Sequence, residues 1–210
     1  MYGAYLYVLV AKNHETILNP QELEIITNPE LMQAKVSAIS KIKDLLTVVR
    51  EKLDQEICLS PPDILPVSKP GSGKISRGEN YLGLPYVILD HPAVFGVEDI
   101  FAFRTMFWWG HFFSCTLHLQ GSYWDRYKKS FINTGDYFNG DDVFLSSGHS
   151  PWHYHYGIDN YILLRQVDTA FLSSRPFLKI SKKLNLEDYT LLPVFAINFF
   201  RQLAELLQKD

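Results

Sequence analysis

The chain has few of the features that identify a function directly. It has two cysteines, Cys58 and Cys115, in 210 residues, which allow at most one disulfide and favour a reducing compartment with two buried thiols. It has no Gly-x-Ser-x-Gly elbow, no Cys-x-x-Cys pair, no His-Glu-x-x-His motif and no Rossmann fingerprint. No complete catalytic or cofactor signature is present, so the sequence leaves open whether the protein is an enzyme.

Charge of one sign and long apolar runs are also scarce. The net charge is −3, from 20 basic and 23 acidic residues, so no overall field attracts nucleic acid or an anionic membrane. The apolar run Met1–Ala11 is too short to span a bilayer, and its first cation is Lys12, unlike the basic start of a signal peptide. We therefore expect a cytoplasmic protein without nucleic-acid or membrane partners, in which this run is a buried first element.

Aromatic residues, in contrast, are abundant, with 14 Phe, 12 Tyr and 4 Trp. Together with 47% apolar and 20% charged residues, they indicate a folded globular protein rather than a disordered one. The length suits one domain. We expect a single domain over residues 1–210, with the Pro/Gly-rich residues 60–83 as a long surface loop.

Apolar periodicity predicts an α+β fold. Apolar residues spaced by three and four from Leu31 to Ile57 predict a long N-terminal helix, and similar spacing predicts a C-terminal amphipathic helix over 192–207. Between them, residues 99–120 are typical of a β-hairpin that turns near Gly110. The two helices therefore flank a mainly antiparallel sheet. The other predicted features are helix starts at Asn19-Pro20 and Asn28-Pro29, strands at 86–90, 143–146 and 177–186, and short helices after Ser122 and Asp159.

The densest group of chemically versatile side chains lies in residues 147–159, Ser-Gly-His-Ser-Pro-Trp-His-Tyr-His-Tyr-Gly-Ile-Asp. It holds three of the seven histidines, and imidazole ligates metals, moves protons at neutral pH and stacks on rings. In an extended strand, His153 and His155 share a face, about 6–7 Å apart at the backbone, which suits two ligands of one ion. The segment predicts either a divalent transition-metal site of His153, His155 and Asp159 or a loop of hydrogen-bonded imidazoles packed on the sheet.

The pattern His153-x-His155 followed by Asp159 resembles the first half of the cupin metal motif. Cupins take a further histidine from a second, distal motif, whereas this sequence has no histidine after His155. His149 is the nearest substitute, but Pro151 prevents a helix from aligning it with His153. The resemblance implies a bound metal, and the missing ligand leaves that set incomplete unless His118 reaches in from the hairpin.

A second candidate site lies on one face of the predicted hairpin. Arg104 and His118 come from adjacent strands and lie roughly opposite each other if the turn is near Gly110. An arginine in the middle of a strand needs a partner, and a polar cavity for an anionic small molecule would supply one. A solvent-facing sheet surface is the alternative. The polar residues that would share this face are Ser114, Thr116 and Gln120.

The turn itself carries the aromatic cluster Trp108-Trp109-Gly110-His111-Phe112. Such rings stack on planar ligands, fill cores or bury partner surfaces. Because Trp is enriched at interfaces, a homodimer seam is one alternative to core packing.

The stretches Asn80–Asp90 and Phe101–Gly110 look similar to those of uncharacterised bacterial proteins of unknown function, a resemblance that implies no activity and no catalytic residues. Three hypotheses follow from the residues. The first is a protein that binds a small anionic ligand on the polar sheet face. The second is a metal-dependent enzyme that uses His153 and His155. The third is a structural or adaptor protein that forms a homo-oligomer through the aromatic cluster. The residues assigned to the ligand site are Arg104, Trp108, Trp109, His118, His149, His153 and His155.

Overall fold

The computed structural model describes residues 17–60, 65, 71–132, 137–138 and 142–208. The apolar run Met1–Ala11, expected to be a buried first element, lies outside these residues. The chain divides into two compact units, residues 1–41 and 42–210, where the length had predicted one domain. The boundary falls inside a continuous helix, so no linker or change of composition marks it in the sequence.

The first unit contains α1 (Pro20–Thr27) and the start of α2 (Pro29–Leu59). The Asn19 side chain accepts a hydrogen bond from the Glu22 amide (2.9 Å), and the Glu22 carboxylate accepts one from the Asn19 amide (2.7 Å). This reciprocal capping box, followed by proline at the first helical position, confirms the helix start predicted at Asn19-Pro20.

The second unit is built on a seven-stranded sheet in the order β1-β2-β3-β4-β7-β5-β6, and all of its strand pairs are antiparallel. With the long α2 and the C-terminal helix, this sheet confirms the predicted α+β class. The strands are β1 (Lys74–Tyr81), β2 (Leu84–Phe95), β3 (Ile100–Trp108), β4 (Phe112–Gln120), β5 (Phe144–Ser146), β6 (Tyr161–Leu163) and β7 (Phe177–Leu184). The remaining helices are α3 (Ser122–Ile132), α4 (Thr169–Ser174) and α5 (Leu192–Leu207).

The predicted hairpin is β3–β4, and it turns at Gly110, whose φ of +72° suits glycine. Its register pairs Arg104 with Thr116 and Ala102 with His118. Arg104 and His118 therefore lie diagonally across the ladder, offset by two residues from direct opposition, where the sequence predicts a roughly opposite placement. Both still point to the same face, because side chains two residues apart on a strand share a face.

The opposite face of the sheet forms the main core. Phe103 packs its ring against α5, with centroids 5.2 Å from Phe200 and 6.3 Å from Phe199. Its neighbours on that face, including Phe101, Leu117 and Ile180, expose at most 1% of their surface. This burial accounts for the amphipathic pattern of α5. The other face of the sheet carries Arg104, Thr116, His118, Lys179 and Ser181.

Two predicted elements are wrong. Residues 74–81 form β1 rather than the end of a surface loop. The sequence did not predict this strand because an edge strand with no buried residue carries little apolar periodicity. Asp159 does not begin a helix: residues 161–163 are β6, and the helix cap is Asp168, whose carboxylate accepts from the Phe171 amide at 2.6 Å.

The two cysteines are both free, and only one fits the expectation of buried thiols. Cys115 is buried on the core face of β4, whereas Cys58 is exposed on α2. Burial raises the pKa of the Cys115 thiol to about 12, so this cysteine stays protonated and packs as a small apolar side chain.

In the part of the chain that the structure describes, one helical stretch, Leu186–Leu207, is long and apolar enough to cross a membrane by length and composition. In the apolar window of this stretch, 56% is buried inside the protein. Core helices of soluble proteins share this composition. The location of the protein stays a prediction.

Candidate functional site

The polar face of the sheet is not open to solvent, because residues 147–160, here termed the cover segment, pack over it. Thr116 and His118 expose only 1% and 2% of their surface. The Tyr154 ring of the cover segment is itself buried and lies 4.8 Å from the Arg104 guanidinium carbon. The alternative of a solvent-facing sheet surface is therefore wrong for these residues, and we refer to this side as the covered face.

Tyr81, the last residue of β1, holds the cover segment in place. Its hydroxyl accepts hydrogen bonds from the backbone amides of Tyr154 (2.6 Å) and His155 (3.1 Å). The Asn160 side chain donates to the His155 carbonyl at 2.7 Å. Because residues 147–157 form no helix or strand, side-chain bonds rather than a backbone ladder fix this segment, which favours local opening.

Replacing the Tyr81 hydroxyl tests this anchoring. Tyr81→Phe keeps the ring but leaves two backbone amides without their acceptor, so we expect about 1–3 kcal/mol less free energy of unfolding. We also expect faster hydrogen exchange at residues 154 and 155, measured by mass spectrometry beside urea unfolding. Tyr189→Phe, at a ring that is 52% exposed, is the control, with a change within about 0.5 kcal/mol. Unchanged exchange at residues 154 and 155 would show that Tyr81 does not anchor the segment.

Arg104, expected to hold an anionic ligand, is engaged by Asp90 on the adjacent strand. Its Nε lies 2.6 Å from Asp90 Oδ1, and its Nη2 lies 2.8 Å from Oδ2. The two side chains expose 13% and 11% of their surface. This bidentate pair balances the charge of Arg104 inside the protein. Arg104 therefore contributes no unpaired positive charge for an anionic ligand, and such a ligand would need another cation.

That cation is Lys179 on β7, a residue that sequence analysis missed. It is fully buried, its Nζ donates to the His153 carbonyl, and the Nζ lies 3.7 Å from the Tyr154 ring centre. Among the described residues, no carboxylate forms an ion pair with it. Burial, together with the nearby charge of Arg104, holds the pKa of Lys179 well below its usual value.

A signal for Lys179 was present in the alternation of residues 177–184. Leu178 and Ile180 mark the core face of that strand, so Lys179 and Ser181 belong to the opposite one. What the alternation could not show is the partner strand. In the structure β7 pairs with β4, and Lys179 lies directly beside His118.

His118 is the second unusual group on the covered face. Within the described structure, both of its ring nitrogens are buried and neither makes a hydrogen bond of normal geometry. Burial, followed by the charge of Lys179, lowers the pKa of His118 to about 4, while the Gln120 side chain acts in the opposite direction. The imidazole is therefore neutral at pH 7 and has a free donor and a free acceptor.

A group of hydroxyls lies beside Lys179 on the same face. Ser181 Oγ donates to the Cys115 carbonyl (3.0 Å) and lies 2.7 Å from Thr116 Oγ1 and 2.5 Å from the Tyr156 hydroxyl. Since Ser181 has one proton to donate, Thr116 and Tyr156 donate to it. Burial raises the pKa of Tyr156 far above its usual value, so this group stays neutral and supplies no negative charge to Lys179.

The predicted metal residues come close together without forming a ligand set. The rings of His153 and His155 have centroids 5.6 Å apart, and His155 Nε2 lies 3.4 Å from Asp159 Oδ2. His155 Nδ1 faces the Tyr81 hydroxyl at 3.3 Å, so both nitrogens of this ring already have neighbours. Among the described residues, no group of three His, Cys, Asp or Glu is placed to hold an ion. As placed, these side chains do not fit a metal, and the metal site stays a prediction.

The other residues assigned to the ligand site are Trp108, Trp109 and His149. Trp108 is 4% exposed, stacks on His111 with centroids 3.6 Å apart, and donates from Nε1 to the Tyr81 carbonyl at 3.2 Å. Trp109 is partly buried beside Phe107. His149 is exposed. Trp108 thus forms part of a small core under the cover segment, and self-association through this cluster stays a prediction.

No family model, no curated protein and no solved structure matches this chain. The chemistry of the covered face therefore has to be argued from its own residues.

Proposed function

We propose that the protein binds a small anionic molecule at the covered face, with Lys179 holding its negative charge and His118 donating a hydrogen bond. The observation that carries the proposal is a fully buried lysine with no acidic partner among the described residues. A buried cation without a counter-ion costs several kcal/mol by desolvation. Such perturbed groups cluster at binding and catalytic sites.

Charge balance favours an anion over a neutral ligand. On the covered face the Arg104 guanidinium is matched by the Asp90 carboxylate, whereas among the described residues no carboxylate pairs with Lys179, whose Nζ donates to a carbonyl oxygen and lies against aromatic faces. A carboxylate or phosphate beside Lys179 makes the covered face neutral, and in a site shielded from water such a pair is strong.

Binding also requires the cover segment to move. Lys179 has no exposed surface, so a ligand reaches it only when the cover segment moves away from the sheet. The lack of regular backbone pairing in residues 147–157 supports such an opening. The aromatic side chains of this segment then shield the bound ligand from water.

Anion binding should depend on pH in a defined direction. The pKa of Lys179 lies well below its usual value in the free protein, and a bound anion raises it. Binding therefore takes up a proton wherever the free amine is partly neutral, and affinity falls as pH rises. Isothermal titration in two buffers of different ionisation enthalpy measures this proton uptake.

The binding test uses acetate, phosphate and sulfate as probes at matched ionic strength, read by thermal unfolding and isothermal titration. A probe at 100 times its Kd adds about 2.7 kcal/mol to the free energy of unfolding. Lys179→Met removes the charge, and we expect affinity to fall about 10- to 100-fold, as for loss of a hydrogen bond to a charged group.

The matched control is Lys183→Met, since Lys183 lies on the same strand and the same face but is exposed. We expect it to bind the probes like the wild type. Equal affinity in Lys179→Met and the wild type, or no stabilisation of the wild type by any of the three probes, would overturn the proposal.

A further inference from the structure

We propose that Lys179 forms an imine with a small carbonyl compound, so that the ligands of the covered face carry an aldehyde or ketone beside an anionic group. This inference rests on the proposed function and specifies its ligand class. It stands on the placement of the amine, on the neighbour that can move its protons and on the exclusion of water.

The amine is placed as a nucleophile rather than as half of an ion pair. Its Nζ donates to one protein acceptor, the His153 carbonyl, and otherwise lies against the rings of Tyr154 and Tyr161, 3.7 and 5.4 Å from their centres. A carboxylate partner would keep this amine protonated, and none pairs with it among the described residues. Desolvation lowers its pKa, so it has a larger neutral fraction at pH 7 than an exposed lysine.

His118 is placed to move the protons of the reaction. The β4–β7 register puts it directly opposite Lys179, where side chains of an antiparallel pair have Cβ atoms about 5 Å apart. Both of its ring nitrogens are buried, and neither makes a hydrogen bond of normal geometry to the part of the chain that the structure describes. A neutral imidazole accepts a proton at one nitrogen and donates from the other, which imine formation requires.

Imine formation at Lys179 releases one water and needs no oxidant or reductant. The lone pair of neutral Lys179 Nζ attacks the carbonyl carbon, a C–N bond forms, and the carbonyl electrons move to oxygen. His118 takes the proton from nitrogen and returns one to that oxygen, which gives a carbinolamine. His118 then takes the remaining proton from nitrogen and gives one to the hydroxyl, which leaves as water while the nitrogen lone pair forms the C=N bond. A proton taken up from solution then protonates the imine and restores the positive charge that balances the anionic group of the ligand.

The closed cover segment accounts for why such an adduct would persist. Trp152 and Phe177 lie edge-on to the His118 ring, with centroids 5.7 and 5.9 Å away, and Tyr154 covers Lys179. These rings exclude the water that hydrolyses an imine. Among the described residues, no thiol or second amine is buried on this face, since the Cys115 side chain belongs to the core face of β4 and stays protonated.

The test traps the adduct on the intact wild-type protein. Glyoxylate, which carries an aldehyde beside a carboxylate, is added with sodium cyanoborohydride, and each lysine is then assigned by peptide mass spectrometry. We expect Lys179 to be reduced to the secondary amine at least 10 times faster than the exposed Lys183, which serves as the reference within the same chain. Acetaldehyde, without the carboxylate, should react at Lys179 at least 10 times more slowly than glyoxylate.

Two variants assign the roles. Lys179→Arg keeps the charge but cannot form an imine, and it should lose the adduct while Lys183 still reacts. His118→Gln keeps a hydrogen-bond donor but cannot move protons, so trapping at Lys179 should slow about 10-fold or more beyond any loss of acetate affinity measured in the same variant. If exposed lysines are modified and Lys179 is not, the proposal that Lys179 forms an imine is wrong. If acetate then still binds in a Lys179-dependent way, the anion site stands without it. If acetate does not bind either, both proposals fail.

Discussion

Asp90→Ala is expected to lower the free energy of unfolding by about 3–5 kcal/mol, because it leaves the Arg104 guanidinium charged and unpaired inside the protein. Both ends of the pair are mostly buried, and two short hydrogen bonds join them. The change also leaves Arg104 beside Lys179, two cations with no carboxylate between them. Urea unfolding at pH 7, followed by circular dichroism, measures the effect.

The exposed pair of Arg165 and Asp142 provides the matched control. Its side chains are 54% and 70% exposed, with a closest N···O distance of 3.0 Å, so Asp142→Ala should cost less than about 1 kcal/mol. In the background of Asp90→Ala, Arg104→Met should recover stability by removing the stranded charge. A loss at Asp90 no larger than that at Asp142 would show that the buried pair does not stabilise the covered face.

His118 is expected to make stability fall between pH 6.5 and pH 4. Its pKa is about 4 in the folded protein, against 6.5 for an ordinary histidine. As pH falls through this range, the unfolded chain takes up a proton that the folded protein does not. The contribution of His118 is therefore fully present above about pH 6.5 and is lost towards pH 4, by about 3 kcal/mol for a shift of this size.

The groups that face His118 explain the sign. Lys179 on β7 and Arg104 on β3 are cations, the Trp152 and Phe177 rings are apolar, and only the Gln120 side chain favours the protonated imidazole. Urea unfolding from pH 7 to pH 4 for wild type and His118→Gln measures the difference, and other titrating groups common to both proteins cancel. Parallel pH profiles for the two proteins would contradict the prediction.

The site was only partly predictable, because its members come from distant parts of the chain. The common face of Arg104 and His118 followed from strand alternation around one local turn. The Asp90 partner depended on the register of β2 against β3, and Lys179 on β7 pairing with β4, more than 50 residues away along the chain. Hydrophobic alternation shows which face of a strand a side chain occupies but not which strand lies beside it, so the sequence could not place Lys179 next to His118.

The contacts of the histidine segment also could not be predicted from its own sequence. Its composition drew attention to residues 147–159, but the contacts that these residues make depend on what lies beneath them. Backbone groups contribute as much as imidazoles: the His153 carbonyl receives Lys179, and the amides of Tyr154 and His155 bind Tyr81. The Tyr81 contacts come from β1, an edge strand that was expected to be a loop, and the Lys179 contact comes from β7 inside the sheet.

Local chemistry determined the capped helix at Asn19, the long α2, the turn at Gly110 and the amphipathic α5, because each depends on residues close together in the chain. Tertiary packing alone decided that the polar face is covered, that Asp90 neutralises Arg104 and that Lys179 remains as the buried cation beside a neutral His118. The physical reason is that burial and charge balance depend on all the elements that meet at one place. The strand order that brings these elements together cannot be deduced from any one of them.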